Sequence, residues 1–151
     1  MQVRQILEVK GSALYTIGAD KTLAEAVEIM NEQDIGSVVC YEHGRMVGML
    51  TFREVMRTLS VHGAAWGAMA VREVMVRQPR AAEPFMEVDE LRHLMVSEHI
   101  RYLPVMDDNT LMGVISFHDV ARAVLEEQNF ENRMLKAYIR DWPEEAGAEK
   151  A

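Results

Sequence analysis

The chain of 151 residues has a single cysteine, Cys40, so no internal disulfide can form. Its five histidines (His43, His62, His93, His99 and His118) stand at no metal-ligand spacing, and no metal site is expected. No apolar run approaches the ~18 residues of a membrane helix. The first eleven residues hold no apolar stretch of secretion-signal length. A cytoplasmic protein without a membrane partner is the expectation. Positive charge is also scarce: 16 Lys and Arg stand against 24 Asp and Glu, a net charge of −8. That field opposes broad contact with nucleic acid, although a few local arginines can still hold a small anion. What the chain does have is 49% apolar residues, enough at this length for a buried core without covalent staples. The length leaves little room for a large catalytic domain beside a regulatory one, which favours a self-contained binding module.

The sequence repeats itself. With an offset of 65 positions, Gly48-Met49-Leu50-Thr51-Phe52-Arg53-Glu54-Val55 falls on Gly113-Val114-Ile115-Ser116-Phe117-His118-Asp119-Val120. The same offset places Met30 on Met95, Ile35 on Ile100 and Arg57 on Arg122. Near the start the offset becomes 68, and Val3-Arg4-Gln5-Ile6-Leu7 falls on Val71-Arg72-Glu73-Val74-Met75. Three segments aligned with one small deletion indicate duplication.

Each unit reads as β-α-β-β-α. A short extended run comes first, over residues 14–17 and again over 80–82. A helix follows: Thr22-Leu23-Ala24-Glu25 is a capping-box pattern, and Leu23, Ala26, Val27 and Met30 form one apolar stripe, matched by Val88, Leu91, Leu94 and Met95. Two strands joined by a polar turn come next, over residues 37–50 and 102–115. Pro104 inside the second copy predicts an edge or bulged strand. A second helix begins at Thr51 or Ser116. The Gly- and Ala-rich segment 61–70, with Trp66, reads as a short helix or turn folded onto the units. A further helical run carries Phe130, Met134 and Tyr138 four apart and stops at Trp142-Pro143. The expected division is thus 1–60, a connector 61–70, 71–125, a helical extension 126–143 and a disordered tail 144–151.

The order of elements, the duplicated Gly-x-x-[Thr/Ser]-x-x-[Asp/Glu] step and the run Ile100-Arg101-Tyr102-Leu103-Pro104-Val105 resemble a CBS-domain pair, or Bateman module. The likeness covers residues 3–124. It implies an α/β (α+β) fold of two tandem repeats packed as a pseudo-twofold pair, plus a C-terminal helix. It also implies a freestanding, non-catalytic sensor that binds an adenosine-containing ligand between the repeats and signals by conformational change. AMP is the foremost candidate, with ADP, ATP, S-adenosylmethionine or NAD(H) as alternatives. A homodimer and an unidentified regulated protein are the implied partners.

The residues themselves carry a site reading. A strand that ends at Ile115 and a helix that starts near Ser116 present unpaired N–H groups to an anion. Ser116 can donate to phosphate or ribose, and Asp119 has two acceptor oxygens for a ribose diol. The resemblance gives these two residues those roles, and places adenine against residues 35–38 (Ile35, Gly36, Ser37, Val38) with Thr16 and Ile17 close by. Arg101, beside Tyr102, is the leading phosphate cation; Arg53 and His118 lie in the helix openings, and Arg77 and Arg80 flank Pro79 nearby. Ser-x-x-Asp and Thr51-x-x-Glu54 are equally helix caps that need no ligand, which keeps a structural interaction module as the alternative. Glu54 stands where the resemblance predicts Asp, so the Thr51 site is either empty, differently used or only a cap. Nothing in the chain stands out as a nucleophile–base pair. Cys40, among Val38, Val39 and Tyr41, reads as a small buried hydrophobe.

Overall fold

The computed structural model describes residues 1–11 and 13–141; the helix stop expected at Trp142-Pro143 and the tail 144–151 lie outside the described residues. Helix α1 (Val3–Lys10) precedes β1 (Thr16–Gly18), α2 (Leu23–Gln33), β2 (Ser37–Glu42), β3 (Arg45–Thr51) and α3 (Phe52–His62). A 3-10 turn (Gly63–Ala68) and the short α4 (Val71–Val74) lead to α5 (Val88–Ser97), β4 (Tyr102–Asp107), β5 (Thr110–Ser116) and α6 (Phe117–Arg140).

The duplication reaches the backbone. Thr22 and Glu25 close the capping box on α2, the Thr22 hydroxyl accepting from the Glu25 amide at 3.2 Å and the Glu25 carboxylate from the Thr22 amide at 2.9 Å. The stripes Leu23, Ala26, Met30 and Val88, Leu91, Met95 are buried, as their spacing requires. Past the helix ends, Asp34 and His99 take left-handed φ of 52° and 55°, and in the hairpin turns His43 and Asp108 both take 52°. Each pair is separated by the repeat offset. β2 and β3 are antiparallel with a bulge between Cys40 and Tyr41; β4 and β5 repeat the arrangement with the bulge between Val105 and Met106.

Two features differ from the expected β-α-β-β-α plan: each unit opens with a short helix, α1 or α4, and the second unit lacks its first strand. In the first repeat β1 lies parallel to β2, tied in part by the Val39 amide donating to the Tyr15 carbonyl at 3.0 Å. The corresponding residues 80–82 form no strand; only Ala82 bridges to Val105. Pro104 is the reason. It occupies the position of Val39, and its ring nitrogen has no hydrogen to donate to residue 80. The rungs on either side of Ala82 survive, the Ala82 amide to the Pro104 carbonyl at 2.9 Å and the Met106 amide to the Ala82 carbonyl at 2.8 Å. The sheets therefore have three strands and two.

The two cores are crossed. Leu23, Val38, Cys40 and Leu50 of the first repeat pack with Val71 and Met75 around α4. Leu91, Leu103, Val105 and Ile115 of the second pack with Val3 and Ile6 of α1. Each short leading helix is thus built into the other repeat, and equivalent backbone bonds fasten it. Val3 donates to Met86 and Val88 to Met1, both at 2.9 Å; Val71 donates to Lys21 at 2.8 Å and Leu23 to Met69 at 2.9 Å. Trp66, in the 3-10 turn, lies against the first core. The helical run expected as a separate extension is continuous with the helix that Ser116 opens: α6 is unbroken from Phe117 to Arg140. No helix among the described residues is long and apolar enough to cross a membrane.

Candidate functional site: two clefts at the repeat seam

Both helices that follow the hairpins begin where a strand ends, beside the seam between the repeats, and each beginning is fastened within its own repeat. The Phe52 amide donates to the Gly36 carbonyl at 3.0 Å, and the Phe117 amide to the Arg101 carbonyl at 2.8 Å. Two clefts flank this seam. One, of about 690 Å³, is lined by Ser116 and His118 at the start of α6 and by Ile35, Gly36, Ser37 and Val38 of the other repeat. Its counterpart, of about 680 Å³, is lined by Thr51, Arg53 and Glu54 at the start of α3 and by Ile100, Arg101 and Leu103 opposite. Phe52, Arg101 and Tyr102 line both. The Arg101 guanidinium lies 5.3 Å from the Phe52 ring centre, and the Tyr102 ring meets Phe52 edge-on at 6.1 Å. Gly36 makes this wall possible, since a Cβ there would sit 2.0 Å from the Tyr102 hydroxyl. Burial raises the Tyr102 phenol above its ordinary value; Arg101 pulls it back and Asp119 adds to the rise.

Ser116 and Asp119 form a complete capping box. The Asp119 carboxylate accepts from the Ser116 amide at 2.8 Å, and the Asp119 amide donates to Ser116 Oγ at 3.0 Å. The same carboxylate oxygen accepts from Lys10 Nζ at 2.7 Å, and Lys10 also donates to the Val114 carbonyl at 2.8 Å. Lys10 comes from α1, so the crossed helix supplies the partner of a repeat-two residue. Burial pushes the Asp119 carboxyl up, but the Lys10 and Ser116 hydrogen bonds and the Lys10 charge outweigh it and hold the group below its ordinary value. A carboxyl depressed in this way stabilises the fold above its unfolded value of about 4. That contribution disappears as pH falls through the folded value. The advantage of wild type over Asp119→Asn at pH 7 should therefore shrink below about pH 4. Melting temperatures of both proteins against pH check this; an advantage constant through the acid range would refute it.

Thr51 caps α3 less completely, its hydroxyl accepting from the Arg53 amide at 3.3 Å and donating to the Glu54 carboxylate. Thr16, Ile17 and Asp119 stand apart from the expected arrangement, since none of them lines a cleft, and the Asp119 carboxylate is taken up by Ser116 and Lys10. The strand begins at Thr16, Ile17 turns into the first core, and the preceding residues Leu14 and Tyr15 reach the cleft instead. The expectation also missed Lys10, Phe52 and Arg57. No spacing signals Lys10, because the repeat offset pairs it with Gln78. In the sequence Arg57 stands out only as the repeat match of Arg122, one helical turn beyond Arg53. Cys40 is buried, and burial, aided by Glu54, pushes its thiol up to about 12, a value of an inert thiol. No cluster of metal-ligating side chains occurs among the described residues.

The fold and the sequence agree on the family. The CBS domain family matches twice, over residues 6–61 and 71–126. The chain is 31% identical over 126 residues to the mitochondrial CBS domain-containing protein CBSX3 of Arabidopsis thaliana, covering 80% of this chain and 61% of that protein. A putative signal-transduction protein with CBS domains from Burkholderia ambifaria superposes with a TM-score of 0.79 at 30% identity, covering 85% of this chain and 96% of the other. The CBS domain pair of protein MJ0100, solved with 5′-methylthioadenosine and S-adenosyl-L-methionine, shares the fold at a TM-score of 0.71 and 23% identity, over 84% of this chain and 98% of its own. The chain belongs to the CBS domain family and holds two tandem repeats of it.

Proposed function

We propose that this CBS pair is a non-catalytic, cytoplasmic regulatory module that binds an adenosine-containing ligand between its repeats and passes the resulting change of shape to a partner protein. The observation that carries the reading is the pair of clefts of about 690 and 680 Å³, each bounded by both repeats and each placed at a strand-to-helix step. That size suits a small organic ligand, and the positive dipole ends of α3 and α6 favour a phosphate. The nucleoside-type ligands of the MJ0100 pair support the same class here. Because a ligand in either cleft touches both repeats, its affinity depends on how they are docked, and binding shifts that equilibrium. A homodimer is the assembly proposed for signalling.

One observation favours a second reading for part of the site. The Ser116–Asp119 pair already satisfies itself and Lys10, as a pure cap would. On that reading the pair holds α6 and the module docks partners without a ligand. Calorimetry with AMP, ATP and NADH, on wild type and Asp119→Ala, separates the two. The sensor reading expects at least one compound to bind wild type below about 1 mM, roughly −4 kcal/mol, and to raise its melting temperature. No binding in that range, with Asp119→Ala losing only the ~0.5–2 kcal/mol of a cap, establishes the structural module instead.

A further inference from the structure

The two clefts are built from equivalent positions but have diverged in charge. Where the Ser116 cleft presents Tyr15, Asp34 and Gly36, the offset of 65 gives the Thr51 cleft Arg80, His99 and Arg101. His118 of the first corresponds to Arg53 of the second, and Arg57 joins the lining of the Thr51 cleft. That cleft therefore gathers four arginines around one carboxylate, Glu54, which the Thr51 hydroxyl already engages. The Ser116 cleft shares Arg101 but none of the other three arginines; there Lys10 is spent on Asp119, and Asp34 opposes what remains. The concentration is notable in a chain of net charge −8. The ion pair of Arg80 with Glu98, at 3.0 Å, joins side chains 60% and 42% exposed and gives way at small cost. Arg101 is held in place over Phe52.

We infer that the Thr51 cleft selects a polyphosphate-bearing adenosine ligand, with Arg53, Arg57, Arg80 and Arg101 as the residues that set its charge preference. The inference rests on the nucleotide reading above and deepens it. Guanidinium groups donate in a fixed fork to phosphate oxygens, and charge-assisted bonds of this kind strengthen as phosphates are added. Apolar neighbours Met49, Met56 and Leu103 leave a surface for the base.

The test is calorimetry of the full chain with adenosine, AMP, ADP, ATP and inorganic tripolyphosphate. Affinity is expected to rise stepwise with phosphate number, ATP binding at least about tenfold tighter than adenosine and weakening with salt. The double variant Arg57→Gln/Arg80→Gln should cost ATP about tenfold while leaving adenosine within about twofold. Arg92→Gln, which removes one charge from the α5 surface, should change neither. Equal affinity for adenosine and ATP, or a loss of ATP binding equal in Arg92→Gln, overturns the inference while the nucleotide reading stands. Tripolyphosphate binding as tightly as ATP also overturns it, because the cleft is then an anion site that ignores the nucleoside. Absence of binding by every adenosine compound defeats the nucleotide reading itself.

Discussion

Ile6→Ala is expected to destabilise the chain by about 2–5 kcal/mol, the usual cost of emptying a buried aliphatic position, and to do so through the second repeat. Ile6 stands in the first units of the sequence, yet it is only 6% exposed and belongs to the cluster of Val88, Leu91, Leu103 and Val120. Its neighbour Val3, fully buried, hangs from the Met86 carbonyl, so α1 cannot easily settle into the space that the truncation leaves. Urea denaturation gives the size of the effect, and hydrogen exchange gives its place. Amides in residues 82–124 should lose protection before those of β1, β2 and β3. Val9→Ala serves as the reference, since Val9 is 81% exposed on the same helix and should stay within about 0.5 kcal/mol of wild type. Loss of protection confined to the first repeat, or a cost below 1 kcal/mol, would contradict the crossed packing.

What could be read from the sequence followed from local rules. The offset of 65 placed both hairpins and both long helices, because apolar periodicity and capping residues act within a few positions of each other. Ser116 and Thr51 were legible as helix openings for the same reason. The crossing of α1 and α4 was not, because their apolar residues show that a face is buried without showing against which repeat. Lys10 followed α1 out of reach: its bond to Asp119 spans 109 positions and has no echo in the second unit. The loss of a strand at 80–82 was half legible. Pro104 announced an irregular strand, but the partner that lost its rung was fixed only by the parallel pairing of residues 15 and 39 in the first repeat. The charge difference between the clefts was likewise present in the aligned residues. It acquired meaning only once Arg80 and Arg57 were seen to converge on the same space as Arg53 and Arg101.

Gly48→Ala should be the more damaging of two equivalent substitutions. Gly48 and Gly113 occupy the same place in the duplicated hairpin, each beneath the leading helix that the crossing delivers. A Cβ on Gly48 would meet the Val76 carbonyl oxygen at 2.7 Å and Met75 Sδ at 2.8 Å. The thioether can swing aside, but the carbonyl cannot: Val76 is bonded to Met49 in both directions, at 3.0 and 2.8 Å. The added methyl must break that bridge or push residues 75–76 away from β3, and overpacking of this kind costs about 1–3 kcal/mol. On Gly113 a Cβ would meet only Leu7, nearest at 3.0 Å through a terminal methyl that can rotate, and the cost should be smaller. Met49 and Val76 also line the Thr51 cleft, so Gly48→Ala should weaken any ligand held there together with the fold. Met75→Ala added to Gly48→Ala should leave most of the destabilisation in place, because the carbonyl contact remains. Denaturation midpoints of the three variants decide the matter. Equal losses for Gly48→Ala and Gly113→Ala, or full rescue by Met75→Ala, would mean that the bridge to Val76 is not what fixes the strand.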